Sequence, residues 1–194
     1  MKYHLSLFFL NIIFLLNAQS QWHAGISYGS SDLLRSQNSD SHYNYSNQEG
    51  SIYVGKYFFW NRSKTQNIQK YWILQLNGNF AQYELSIANK KENVYSSQIN
   101  TGIRFEKELK PDLKLESSIL LGMGYHTGLT ERLNSGIYFR EAIIIGLNKT
   151  WKSGFSNQFG LGFQHASNAN LYPLNRGYEL LFLTIGIIWP KKIL

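Results

Sequence analysis

The feature that most constrains this chain is an alternation of period two that recurs along most of its length. From Phe155 to Ser167 the odd positions are Phe155, Asn157, Phe159, Leu161, Phe163, His165 and Ser167, against Ser156, Gln158, Gly160, Gly162, Gln164 and Ala166. In 113–127, Leu113, Leu115, Ile119, Leu121, Met123 and Tyr125 alternate with Lys114, Glu116, Ser118, Gly122, Gly124 and His126. In 136–149, Ile137, Phe139, Ile143, Ile145 and Leu147 share a face, and Arg140 and Asn148 lie on the other. Residues two apart in a strand share a face. Each segment is therefore a strand with one apolar side and one small, polar or charged side. Eight such segments are predicted, at 21–29, 50–60, 70–86, 93–108, 113–127, 136–149, 154–167 and 177–189. The alternation is blurred in the first two. No linker or shift in composition divides them, so 21–194 is read as one domain.

The charged face decides the class. A soluble, lipocalin-like barrel would line its cavity with the apolar side chains and turn Lys114, Glu116 and Arg140 to solvent. Charges mixed with glycines suit a narrow polar lumen better, with the apolar side outward. Strands of about 9–11 residues span a bilayer when tilted, and eight is the smallest usual strand number of such barrels. Aromatics make up 15% of the chain, with 13 Tyr and 5 Trp, the residue types enriched at membrane–water interfaces. The expected fold is all-β: an eight-stranded antiparallel transmembrane β-barrel.

The N-terminus supports this. Lys2 is followed by an apolar run, Leu5–Leu16, and then by Ala18-Gln19-Ser20. This is the pattern of a secretory signal peptide, too short to span a membrane. Residues 1–20 are expected to be a cleaved leader, with Ala18 the other candidate cleavage point. The chain has no cysteine, so disulfides contribute nothing to stability outside the cytoplasm. The formal charge of +7 is scattered without a basic run, so no nucleic-acid partner is expected. The expected location is the outer membrane of a Gram-negative bacterium. With both strand termini periplasmic, the connections near 61–69, 109–112 and 150–153 are periplasmic. Those near 30–49, 87–92, 128–135 and 168–176 are extracellular.

One extracellular hairpin carries chemistry. His165 and Ser167 share the apolar face of their strand, with Cα atoms roughly 6–7 Å apart at a rise of about 3.3 Å per residue. Glu179 opens the last strand on the face of Leu181, Leu183 and Ile185, and an antiparallel hairpin through 168–176 sets it opposite 165 or 167. A hydroxyl, an imidazole and a carboxylate thus converge on the lipid face, the parts of a nucleophile–base–acid triad. Polar groups facing lipid are costly when unpaired. Glu141 falls on the same face across the other hairpin and is a competing carboxylate. The His residues have no metal-ligand spacing, and the triad chemistry calls for no metal or cofactor.

The stretch HASNANLYPLNRGYE, 165–179, resembles the catalytic hairpin of the PagL family of outer-membrane lipid A 3-O-deacylases. The family pattern is His-x-Ser-Asn, a following Asn, and a Glu at the start of the last strand, met here by His165-Ala166-Ser167-Asn168, Asn175 and Glu179. The resemblance implies Ser167 as nucleophile, His165 as base and Glu179 as orienting acid. It also implies Asn168 as oxyanion-hole donor, Asn175 as the residue holding the loop, and lipid A, or lipopolysaccharide, as substrate. Ala169-Asn170 depart from the pattern, where the family often has glycine. Arg132 and Arg176 are candidate contacts for lipid A phosphates. The other functional expectations are a non-catalytic structural or adhesive barrel and an esterase acting on another lipid.

Overall fold

A computed structural model describes residues 20–34, 46–63, 67–85, 90–128, 133–173 and 177–190. The segment expected to be a leader, up to residue 19, and Arg132, Asn175 and Arg176 lie outside them. Eight antiparallel strands close into a barrel, each paired with its sequence neighbours and β1 with β8. They are β1 (Ser20–Ser30), β2 (Ser46–Ser63), β3 (Ile68–Leu85), β4 (Lys90–Lys110), β5 (Leu113–His126), β6 (Gly136–Thr150), β7 (Ser156–Ser167) and β8 (Tyr178–Ile188). A 3-10 turn, Asp32–Leu34, follows β1.

The apolar columns point outward. Ile119, Leu121, Ile143, Ile145, Leu161 and Leu183 are all exposed, and Arg104, Glu106, Glu116 and Arg140 are buried inside. This is the inverted arrangement of a membrane barrel, not that of a soluble one. All five tryptophans are exposed at the end of the barrel that holds Ser20, the 111–112 turn and Trp189. This turn end contrasts with the loop end at Ser30, Ser46 and Ser167.

β2 starts four residues earlier than the sequence reading placed it, and β4 three residues earlier. At the loop end Gln48 pairs with Ser30 and Gln82, and Gln82 with Asn93. The backbone ladder continues there, but the outward residues have become polar, so the apolar period that marks a lipid-facing strand is gone.

The lumen is filled by two ionic groups. Nearer the turn end, Arg104 bonds both Glu106 and Glu116, Lys114 bonds Glu106 at 2.9 Å, and Gln158 bonds Glu116. Nearer the loop end, Arg140 pairs with Glu49 at 3.1 Å. Buried charges of this kind persist because each has a partner. Between the groups lies a small cavity of about 50 Å³. Tyr83, Val94, Leu133, Tyr138, Tyr178 and Leu180 form an apolar cap over the loop end.

Candidate active site

β6, β7 and β8 build the site. Because backbone pairing fixes which residues lie abreast, one rung across the three strands reads Glu141–His165–Glu179. The side chains all point to the lipid side. His165 Nδ1 lies 3.0 Å from Glu179 Oε1, with the imidazole and carboxylate 39% and 26% exposed. A proton on Nδ1 donated to Glu179 leaves the Nε2 lone pair free to act as a base. Glu141 flanks the imidazole on its other side. It makes no hydrogen bond or ion pair among the described residues.

Ser167 lies two residues further along β7, on the rung of Phe139. It shares the face of His165, as the period requires. Among the described residues no hydrogen bond joins its hydroxyl to His165. The carboxylate–imidazole half of a triad is formed and the imidazole–hydroxyl half is open.

Asn168 points the other way. It is completely buried, and its Oδ1 accepts the Asn170 backbone N–H at 3.0 Å. The Leu171 N–H donates to the Asn168 carbonyl at 2.9 Å. Ala169 and Asn170 have φ of 50° and 62°, so 168–171 is a type I′ turn. The two residues that stand where glycine was expected take up left-handed backbone all the same. Asn tolerates this well, whereas for Ala it costs roughly 1–2 kcal/mol. Asn168 therefore caps the turn that follows the candidate nucleophile.

Two site residues escaped the sequence reading. Gly177 has φ +62°, and a Cβ there would meet the Ala166 carbonyl at 2.8 Å and His165 Cε1 at 2.9 Å. Its backbone lies against the imidazole, where only a glycine fits. Its place just before β8 was the available signal. The second is Tyr172, whose hydroxyl accepts the Ile137 N–H at 3.3 Å and ties the loop after Ser167 to the start of β6.

The depth of the site follows from the rungs. On β5, Tyr125 is abreast of Ile137, two residues past the Phe139–Ser167 rung and so at the level 169 would take if β7 ran on. On β1, Tyr28 is abreast of Leu183 and so of Leu161. Both tyrosines are exposed at the loop end, where aromatics mark the interface, and each is two strands from β7. Halfway between 161 and 169 is His165. Toward the turn end from the site, Ile145, Leu147, Phe159, Leu161, Leu183 and Ile185 line an apolar depression of about 300 Å³ on the outer wall.

The architecture has known counterparts. The outer membrane enzyme PagL matches with a TM-score of 0.56 at 18% identity, over 86% of this chain and 97% of that one. The fold is that of an outer-membrane β-barrel. Neisserial surface protein A matches with a TM-score of 0.53 at 8% identity, over 88% and 96%. No protein-family model and no curated protein sequence matches the chain. One structural neighbour is an enzyme and the other a surface protein, so the fold does not decide the activity. That question rests on the outer wall of β6–β8.

Proposed function

We propose that this protein is a lipid A deacylase, hydrolysing an ester-linked (3-O) acyl chain in the outer leaflet of a Gram-negative outer membrane. Ser167 is the nucleophile, His165 the general base and Glu179 the acid that orients it. The observation that carries this reading is the His165 Nδ1–Glu179 Oε1 hydrogen bond, formed on the lipid-facing wall at the level of the aromatic interface. Acyl esters of membrane lipids lie at that depth, and soluble substrates do not. The apolar depression beside the site and the likeness in fold to the outer membrane enzyme PagL give further support.

In the reaction, Ser167 Oγ attacks the ester carbonyl and gives its proton to His165 Nε2. Glu179 stabilises the imidazolium that forms. The tetrahedral oxyanion needs fixed donors. Asn168 and Asn175 are the proposed support, Asn168 by holding the turn after Ser167. The imidazolium returns its proton to the leaving alkoxide, leaving an acyl-serine. Water, activated by His165, then releases the fatty acid. The open Ser167–His165 contact closes in the substrate complex, as is common where free-enzyme geometry is loose. The test is release of 3-hydroxy fatty acid from purified lipid A by wild type and Ser167→Ala, both refolded in detergent. Equal release by the two would remove Ser167 from the mechanism.

The open contact and the likeness to a surface protein also favour a second reading, a structural or adhesive barrel without catalysis. Lipid A mass spectrometry on cells with and without the protein separates the two. Release from phospholipid but not lipid A would keep the triad and change the substrate.

A further inference from the structure

Glu49 enters the lumen from β2, and its carboxylate is buried. It takes a bond from each of the three strands that carry the site. Arg140 Nη1 lies 3.1 Å from Oε1, Gln164 Nε2 donates to Oε1 at 3.5 Å, and the Tyr178 hydroxyl donates to Oε2 at 3.3 Å. Residues 140, 164 and 178 each come immediately before a member of the outer rung, Glu141, His165 and Glu179. The three contacts of one carboxylate are the inward-facing neighbours of the three outward-facing ionisable groups.

We propose that Glu49 is a positioning residue for the site, acting through Arg140, Gln164 and Tyr178 from the inside of the barrel. The proposal rests on the reading of His165 and Glu179 as working groups. Successive side chains of a strand point to opposite faces of one pleated backbone. Fixing residue i on the inside therefore fixes the roll of the strand, and with it the direction in which residue i+1 leaves on the outside. Ladder hydrogen bonds set the register of β6–β8 but leave this roll soft. No second layer packs behind a barrel wall, so only lumen side chains can stiffen it. Gln164 shows the dependence most clearly: it is fully buried, its Oε1 has no partner, and its bond to Glu49 is its only side-chain hydrogen bond among the described residues. Glu49 thereby holds the three strand segments at one angle to each other, the condition for a short His165–Glu179 bond.

The test compares wild type, Glu49→Gln and Tyr178→Phe, refolded in detergent, by two readouts. One is the kinetics of acyl release from lipid A. The other is the NMR signal of the His165 Nδ1 proton, assigned by its loss in His165→Gln. Glu49→Gln is expected to lower kcat about 10- to 100-fold, the scale of an ångström-level misplacement, with KM nearly unchanged and the Nδ1 proton signal shifted. Tyr178→Phe removes one bond and leaves the ion pair, so it carries the test if Glu49→Gln does not fold. Its expected effects are in the same direction and smaller. A folded Glu49→Gln barrel with wild-type kcat and an unmoved Nδ1 signal would overturn the proposal, as would the same result for Tyr178→Phe alone. If wild type cleaves no lipid A, the deacylase reading fails. The Nδ1 signal then decides the positioning role by itself.

Discussion

β5 and β7 run in the same direction, two strands apart, and both present an apolar column to the lipid, yet they end differently. β5 stays apolar to its rim, through Ile119, Leu121, Met123 and Tyr125. β7 runs through Leu161 and Phe163 and then turns to His165 and Ser167. Leu121 of β5 lies abreast of Glu141 and hence on the rung of His165. β5 is thus an internal control: along this rung the wall is complete with leucine, and at the interface level β5 carries Tyr125. A charged side chain on the lipid face costs up to about 1 kcal/mol near the interface, and at His165 the bond to Glu179 offsets part of any such cost. On the proposed reading, His165 and Ser167 stand there for the chemistry.

Five variants break or sharpen this contrast. The largest effect is expected for Ser167→Ala, which should lower acyl release at least about 10³-fold, as for other triad nucleophiles. Heat-modifiable gel migration should stay that of wild type, because the outer column of β7 is otherwise unchanged. Next comes Glu179→Ala, with a loss of about 10²- to 10⁴-fold, whereas Glu141→Ala should stay within a few-fold. Equal losses in the same lipid A assay would mean that the imidazole is oriented by the wrong neighbour here. Gly177→Ala drives a Cβ against His165 at a left-handed φ, and kcat should fall about 10-fold in a barrel that still folds. The smallest effect is on stability. His165→Leu gives β7 the ending of β5 and should stabilise the barrel by up to about 1 kcal/mol in urea unfolding from lipid vesicles. A clear loss of stability would show that the polar ending belongs to the fold after all.

The same contrast explains what the sequence made legible. β5, β6 and β7 were readable because lipid on one side and a narrow lumen on the other impose opposite chemistry on alternate residues. β2 was blurred because its inward residues include Tyr53 and Tyr57, aromatics that fill the lumen, and its Lys56 points outward. Lys56 lies over the Trp22 ring, with Nζ 4.5 Å from its centroid, an arrangement that period two cannot anticipate. At the site, hairpin pairing placed Glu179 opposite 165 or 167, and the register of the ladder selects His165. The left-handed turn at Ala169-Asn170 was not legible, since neither residue advertises that conformation as glycine does. Nor were the Glu49 contacts. Alternation says that a side chain enters the lumen, but not which residue it meets across it, and Glu49 and Tyr178 are 129 positions apart.

For the proposed deacylase, the outward placing of the His165–Glu179 pair has a kinetic consequence. A molecule approaching it from the lipid side arrives by sliding sideways within one leaflet, in two dimensions. The concentration that governs turnover is then a mole fraction of the surface, not a molarity. Adding inert detergent or lipid at constant total substrate should slow the reaction by surface dilution, while changing the aqueous volume should leave the rate alone.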